Sequence, residues 1–338
     1  RILEFSTIEK YDTQKMYLVY DKWPEFAQKS YNFPHRQFKC SGINHIVFAG
    51  MGGSGTIGDI FSAILSKTDI HVTNIKGYLL PNTVNSNTLV ITTSVSGDTK
   101  ETLTVLESAV KMNCKVIAFS SGGKMERFCL ENSVEFRKIE KIHSPRASLV
   151  SFLYSMLNIL EPILSVKHED VIDSINKMKI LQENISSKNL KEDNQSLKLA
   201  SWIIGIPLIY YPFGLQAAAI RFKNSLQENS KNHAITEDIV ESCHNGIVAW
   251  EKSSSMQPIL IEGKDDFAKT KERWQIIKEY FKINHIEYEE VFSVEGSILS
   301  KLINLIYFFD YSSIYHAMIS KTDPSPVKSI DFIKNRSS

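Results

Sequence analysis

Cysteine is scarce: Cys40, Cys114, Cys129 and Cys243 are the only four in 338 residues. Their spacing matches no CxxC or zinc pattern, so neither a disulfide scaffold nor a zinc site is expected, and the thiols read as core positions. Long apolar runs are missing as well. No stretch reaches the roughly 18 residues that a spanning helix needs, and Arg1–Lys10 has no apolar leader segment. The expectation is a cytoplasmic protein. A charge excess of either sign is also lacking: 39 Lys+Arg against 38 Asp+Glu leave a formal net charge of +1. That balance argues against a nucleic-acid partner or an anionic membrane, although a local anion site at a helix end needs no net charge. No cluster of His, Cys and carboxylate residues has metal-ligand spacing, so no metal is expected.

What is present is a strand–turn–helix rhythm. Ile43 to Gly50 is a short apolar run ending at glycine, which reads as a buried strand. The turn Gly50-Met51-Gly52-Gly53-Ser54-Gly55 and a helical stretch from Thr56 to Ser66 follow it. His71–Ile75 and Thr88–Thr93 read as strands, the latter feeding Ser94-Val95-Ser96-Gly97-Asp98-Thr99 and a helix over 100–112. Cys114–Phe119 is another strand, leading into Ser120-Ser121-Gly122-Gly123. Strands alternating with helices imply a parallel sheet, and right-handed crossovers put all these turns on one sheet edge, where such sheets bind ligands.

The second half repeats the rhythm. Strands are expected over 207–211, 257–261 and 287–292, with helices over 215–229, 265–281 and 297–319. Tyr11, Tyr17, Trp23 and Phe26 mark an amphipathic helical start. The expected division is an N-terminal helical segment (1–40), a first α/β subdomain (41–166), a polar helical linker (167–200) and a second subdomain (201–338). Each subdomain would be a parallel sheet flanked by helices, a three-layer α/β/α arrangement.

Two turns carry chemistry. In Gly50–Gly55, glycines let backbone N–H groups approach an anion at a helix N-terminus, and Ser54 adds a hydroxyl. It is neither a Walker A loop nor a dinucleotide fingerprint, and a plain tight turn explains it equally well. In Ser94–Thr99, three hydroxyls fall within six residues. One would serve as an N-cap; three beside Gly97 fit a cradle for a phosphate monoester built from neutral donors.

These turns, with Glu101-Thr102 after the second, resemble the sugar isomerase (SIS) domain. The resemblance narrows in the second half. Glu228-Asn229-Ser230-Lys231, His244-Asn245-Gly246-Ile247-Val248-Ala249-Trp250-Glu251 and Asp323-Pro324-Ser325-Pro326-Val327 are similar to the bifunctional phosphoglucose/phosphomannose isomerases. Tyr20-Asp21-Lys22-Trp23-Pro24 also fits, so the likeness runs over nearly the whole chain. It implies two SIS-type subdomains and a phosphate site at Gly53, Ser54, Ser94, Ser96 and Thr99. It also implies a catalytic Glu228 and His244, an arginine at Arg146 and a C-terminal lysine at Lys334.

The implied reaction interconverts glucose 6-phosphate, fructose 6-phosphate and mannose 6-phosphate through a cis-enediolate, with no cofactor. A carboxylate that removes and returns one proton suits Glu228. A fixed cation near the enediolate oxygen suits Arg146, and a histidine that titrates near neutrality suits ring opening at His244, assisted by Lys334. From spacing alone, a surface carboxylate paired with Lys223 or Lys231 is the better reading of Glu228 and a satisfied core or loop histidine the better reading of His244, while Arg146 is open to a surface salt bridge. Asp98 places a carboxylate beside the implied phosphate, where it would oppose the anion. The resemblance further implies a homodimer with active sites near its interface and His244 reaching across. The alternatives are a SIS isomerase of another sugar phosphate, or a sugar-phosphate-binding protein without catalysis.

Overall fold

A computed structural model describes residues 2–337 and divides them into two compact units. One comprises Lys22–Asn176 with Gly296–Ser300; the other comprises the chain up to Asp21, Lys177–Glu295 and the chain from Lys301 onward. The helical start is three short helices, α1 (Phe5–Tyr11), α2 (Met16–Asp21) and α3 (Trp23–Asn32), with Trp23 and Tyr20 fully buried. The division between units therefore falls inside the Tyr20–Pro24 motif.

The first sheet contains β1 (His45–Ala49), β2 (His71–Ile75), β3 (Thr88–Thr93), β4 (Lys115–Ser120) and β5 (Glu135–Lys138), all parallel, in the order β2-β1-β3-β4-β5. β1 and β3 are buried along their whole length, as expected of strands covered on both faces. Helix α4 (Gly52–Leu65) packs on one face, where Phe61 stacks on Phe48 at 5.3 Å. Helices α5 (Lys100–Val110) and α6 (Gly123–Glu131) cover the other, burying Val105 and Ala109 against Val47 and Val90, and Met125 and Cys129 against Ala118. The apolar stretch after Arg146 becomes α7 (Leu149–Ile159), broken before Pro162 from a single turn, α8 (Glu161–Leu164). Residues 167–200 hold α9 (His168–Ile185) and α10 (Gln195–Trp202), the latter capped by Asn194.

The second sheet contains β6 (Ile206–Tyr211), β7 (Ile235–Asp238), β8 (Met256–Glu262) and β9 (Glu289–Phe292), again parallel, in the order β7-β6-β8-β9. Helix α11 (Gln216–Ser230) connects β6 to β7; the single-turn α12 (Ile239–Ser242) follows β7. Trp274, Ile277 and Phe281 of α13 (Ala268–Ile283) bury against Leu208, Tyr210 and Leu260 on one face. Phe222 of α11 stacks on Phe309 of α14 (Ile298–Ile319) at 4.3 Å. The last helix, α15 (Lys328–Arg336), buries none of its residues. No helix among the described residues is long and apolar enough to cross a membrane.

The strands expected in the interior all form. The two that the sequence pattern missed, β5 and β7, are both sheet edges. Glu-Phe-Arg-Lys and Ile-Thr-Glu-Asp carry too little apolar alternation to stand out, because one side of an edge strand faces solvent. The segment 232–242 contains β7 and α12.

At the end of β8 the Glu262 carboxylate is buried and meets Lys278 Nζ at 2.6 Å, with Glu290 at 3.3 Å from the same ammonium. Burial pushes Glu262 up to about 7 against the opposing pull of Lys278. The folded chain thus holds a proton there that the unfolded chain releases near pH 4.3, so this carboxyl's contribution to stability falls as pH rises from about 4.3 to about 7 and is flat above. Glu262→Gln is expected to remove that slope, read as the parent-minus-variant difference in Tm across pH 4–8. A constant difference over that range would refute the assignment.

Candidate active site

The first sheet changes winding direction between β1 and β3: the chain leaves β1 toward β2 on one side and β3 toward β4 on the other. That is the switch point at which open α/β sheets bind ligands. β1 and β3 run in register there, Ala49 beside Thr92, so their following turns emerge side by side. One turn opens α4 at Gly52, Gly53 and Ser54; the Ser54 N–H donates to Met51 O at 3.0 Å, while the N–H groups of Gly52 and Gly53 have no earlier helical carbonyl to bond. A side chain at Gly50 would stand 2.9 Å from the backbone of Ser54, so only glycine lets strand and helix approach this closely.

The other turn is Ser94–Thr99. Thr99 occupies the N-cap position of α5, yet its side chain does not cap the helix. Its Oγ1 lies 2.8 Å from Ser94 Oγ, which also accepts the Gly97 N–H at 3.0 Å. Ser96 Oγ, on an exposed residue, accepts the Asp98 N–H. Capping alone therefore does not account for the three hydroxyls. Arg146 is buried on a turn of 3-10 helix, Arg146–Ser148, that packs against α4. Trp23 Nε1 donates to Ala147 O at 3.0 Å and Ser148 Oγ ties back to Ile142 and Ser144, so the turn bearing the guanidinium is fixed on both sides. Its burial sets aside the reading of Arg146 as a surface ion pair.

The remaining three residues lie in the other unit. Glu228 is half-buried in the last turn of α11. Two turns below it, on the same helix face, Arg221 is buried with Asp310 of α14: Nη2 to Oδ2 is 2.7 Å and Nε to Oδ1 is 3.1 Å. Tyr20 Oη and Ser225 Oγ each donate to that carboxylate at 2.8 Å. Burial alone would lower the pKa of Arg221, but Asp310, Tyr20 and Glu228 together hold it above the ordinary guanidinium value. Lys231, which ends α11 with φ +55°, donates to the backbone carbonyls of Glu228, Asp323 and Pro324. It thereby fastens the Glu228 turn to the Asp323–Val327 motif.

His244 is exposed two residues beyond α12. That helix starts directly at the end of β7 because Asp238 caps it, accepting from Val240 and Glu241. Glu228 and His244 do not meet within their unit. Asn232, just past α11, bonds Gly205 O immediately before β6, whereas His244 lies beyond Asp238, level with the far end of β6. The two side chains stand at opposite ends of one sheet. Lys334 is exposed on α15.

Sequence reasoning missed the Tyr20–Arg221–Ser225–Asp310 cluster. Its one local signal is the spacing of Arg221, Ser225 and Glu228 at i, i+4 and i+7, which aligns them on one helical face.

The duplicated parallel sheets and the glycine and hydroxyl turns at the first switch point define a tandem SIS protein. Residues 192–336 match the family model for the bacterial phospho-glucose isomerase C-terminal SIS domain. Over 98% of this chain and 92% of the other, the fold superposes on a hypothetical protein from Thermus thermophilus with a TM-score of 0.74 at 13% identity. The chain is 30% identical to a bifunctional phosphoglucose/phosphomannose isomerase from Caldicellulosiruptor bescii, covering 93% of this chain and 96% of that protein. It belongs to that family. A D-glucosamine-6-phosphate 4-epimerase from Sulfolobus acidocaldarius shares 26% identity over 72% of this chain and 76% of its own.

Gly97 sets the shape of the hydroxyl turn. Its φ is +77°, and a Cβ there would stand 1.9 Å from Gly122 O. Gly97→Ala is expected to lower stability by about 1–3 kcal/mol and to shift amide resonances within 94–99 and 120–125. Unchanged stability and spectra would mean that this backbone conformation is not required.

Proposed function

We propose that the protein interconverts glucose 6-phosphate and fructose 6-phosphate, and also mannose 6-phosphate, by proton transfer through a cis-enediolate. The observation that carries this reading is near-full-length similarity to a bifunctional isomerase, on a chain that sets hydroxyls at the switch point of its first sheet. Gly53, Ser54, Ser94, Ser96 and Thr99 bind the substrate phosphate through neutral donors and the N-terminus of α4. Glu228 moves the proton between C1 and C2. Arg146 stabilises the negative oxygen of the enediolate, and its burial, which excludes water, strengthens that interaction. His244 opens the sugar ring with Lys334 assisting. Because C2 stereochemistry vanishes in the enediolate, one base serves both aldoses.

The protein acts as a cytoplasmic homodimer, in glycolysis and gluconeogenesis. The separation of Glu228 and His244 within one unit supports a site that draws His244 from the neighbouring chain. So does the unburied apolar face of α15, with Ile330, Phe332 and Ile333 exposed beside Lys334. The subdomains are residues 41–166 and 201–338, joined through 167–200.

The test is incubation with fructose 6-phosphate in deuterated water, followed by NMR. Glucose 6-phosphate and mannose 6-phosphate carrying deuterium at C2 are expected. Exchange at C4 alone would indicate an epimerase, and binding without exchange a sugar-phosphate sensor; either overturns the proposal. Glu228→Gln is expected to lower kcat by about 10²–10⁴-fold, the range of general-base catalysis. Mixing inactive Glu228→Gln and His244→Ala chains is expected to restore part of the activity, since a hybrid dimer then holds one intact site. No recovery in a verified hybrid would place both residues in one chain.

A further inference from the structure

The turn Ser120-Ser121-Gly122-Gly123 takes no part in the reading above, yet it is the element against which the hydroxyl turn is built. Ser121 N and Oγ both donate to Val95 O, at 2.9 and 2.6 Å. Met125 N donates to Gly97 O at 2.9 Å, and Lys124 N to Asp98 Oδ1 at 2.9 Å. Gly97 and Gly123, with φ of +77° and +69°, interlock so closely that a Cβ on Gly123 would stand 2.4 Å from Ser96 O. The third turn therefore grips the second at Val95, Gly97 and Asp98, between and beside the residues that carry the hydroxyls. Only one of these bonds from the hydroxyl turn comes from a side chain, and that side chain is Asp98.

We propose that Asp98 is a positioning residue for phosphate binding: its carboxylate caps the N-terminus of α6 and so latches the Ser94–Thr99 turn in its binding shape. This reverses the expectation that Asp98 opposes the phosphate. An acceptor oxygen at α6 satisfies one N–H left unbonded at the helix start, and its charge is favourable against the positive end of the helix. The same bond fixes Asp98, whose backbone N–H meets Ser96 Oγ at 3.1 Å. Once that lone pair is occupied, the Ser96 hydroxyl proton is directed outward, toward an acceptor.

The inference rests on the reading of Ser94, Ser96 and Thr99 as the phosphate site, and the experiment separates the two. Steady-state kinetics with fructose 6-phosphate and inhibition by inorganic phosphate are measured for Asp98→Ala, Asp98→Asn and Thr99→Ala. Losing one cap is worth about fivefold to tenfold. Asp98→Ala is therefore expected to raise both KM and the inhibition constant of phosphate by that factor, with kcat little changed. Asp98→Asn keeps the acceptor oxygen and removes the charge, so it restores both constants to near the parent values. If both Asp98 variants bind phosphate more tightly, Asp98 acts as a repelling charge and the latch is refuted. If both bind as the parent does while Thr99→Ala weakens binding, the latch is refuted and the cradle stands. If Thr99→Ala changes neither constant, the cradle itself is misplaced and the latch fails with it.

Discussion

The second unit is organised around one buried charge pair. Arg221 and Asp310 sit at 2% and 0% exposure, and such a pair is tolerable only when every remaining lone pair and N–H finds a partner. Here the Asp310 carboxylate takes two donors from Arg221, one from Tyr20 and one from Ser225. Those donors come from α2 and α11, and Asp310 itself lies on α14, so satisfying one carboxylate fixes three helices around each other. Removing either charge would leave the other buried and unpaired, a cost of about 3–5 kcal/mol. Tyr307 Oη adds a bond to Tyr20 O, and Tyr311 meets Asp21, so the C-terminal end of α2 is tied to α14. Glu228 rides on the same face of α11 as Arg221 and Ser225. Its turn is held by this cluster below and by Lys231 above, whose Nζ bonds the Glu228 carbonyl at 2.7 Å.

The interior of both sheets was legible because burial on both faces forces a recognisable pattern. Ile46-Val47-Phe48-Ala49 and Leu89-Val90-Ile91 are apolar at every position, since α4 and α5 cover opposite faces of the same strands. Of the four edge strands, β2 and β9 were legible and β5 and β7 were not. β5 and β7 each have one neighbour, and residues such as Glu135 and Glu237 satisfy their backbone bonding without an apolar signature. Helix boundaries followed the same division. Where a named group imposes a start, as Asp238 does for α12, the strand passes into the helix without a loop, and only the hydrogen bonds reveal it.

The site divides along similar lines. A glycine turn or a run of hydroxyls is local, so Ser54, Ser94, Ser96 and Thr99 could be singled out from sequence, and their strands emerge side by side. Glu228, His244, Arg146 and Lys334 are distant from one another in sequence. No spacing rule joins them, and resemblance to a family was the only route to them. The burial of Arg146 depends on Trp23, more than a hundred residues earlier, through one bond to Ala147 O. Asp98 is the instructive case. Adjacency in sequence to Gly97 and Thr99 puts its charge beside the hydroxyls, but its side chain turns to the next helix and meets Lys124 N. Proximity along the chain indicated the neighbourhood of Asp98 but not the Lys124 N–H that its carboxylate meets.

The two sheets share an architecture but differ in the chemistry at their switch points. In the first, β1 and β3 end in Gly50–Gly55 and Ser94–Thr99, which supply backbone N–H groups and hydroxyls. In the second, the corresponding strands are β6 and β8. β6 ends in Pro212-Phe213-Gly214, with Phe213 exposed and no hydroxyl in the turn. β8 ends in Glu262-Gly263-Lys264-Asp265-Asp266, where three carboxylates outnumber one lysine, and Asp266 is already engaged with Gly263 N and Trp274 Nε1. Glu262 meets Lys278 at 2.6 Å and Asp265 meets Lys301 at 2.9 Å, so the carboxylates of this turn are taken up by lysines of α13 and α14. Duplication of the fold therefore did not duplicate the glycine and hydroxyl turns. The second sheet instead shapes its opposite end, where α11 stops at Lys231 and holds Glu228 against the Asp323–Val327 segment. A parallel sheet offers the same scaffold twice, and the turn residues decide which chemical groups each copy presents at its edge.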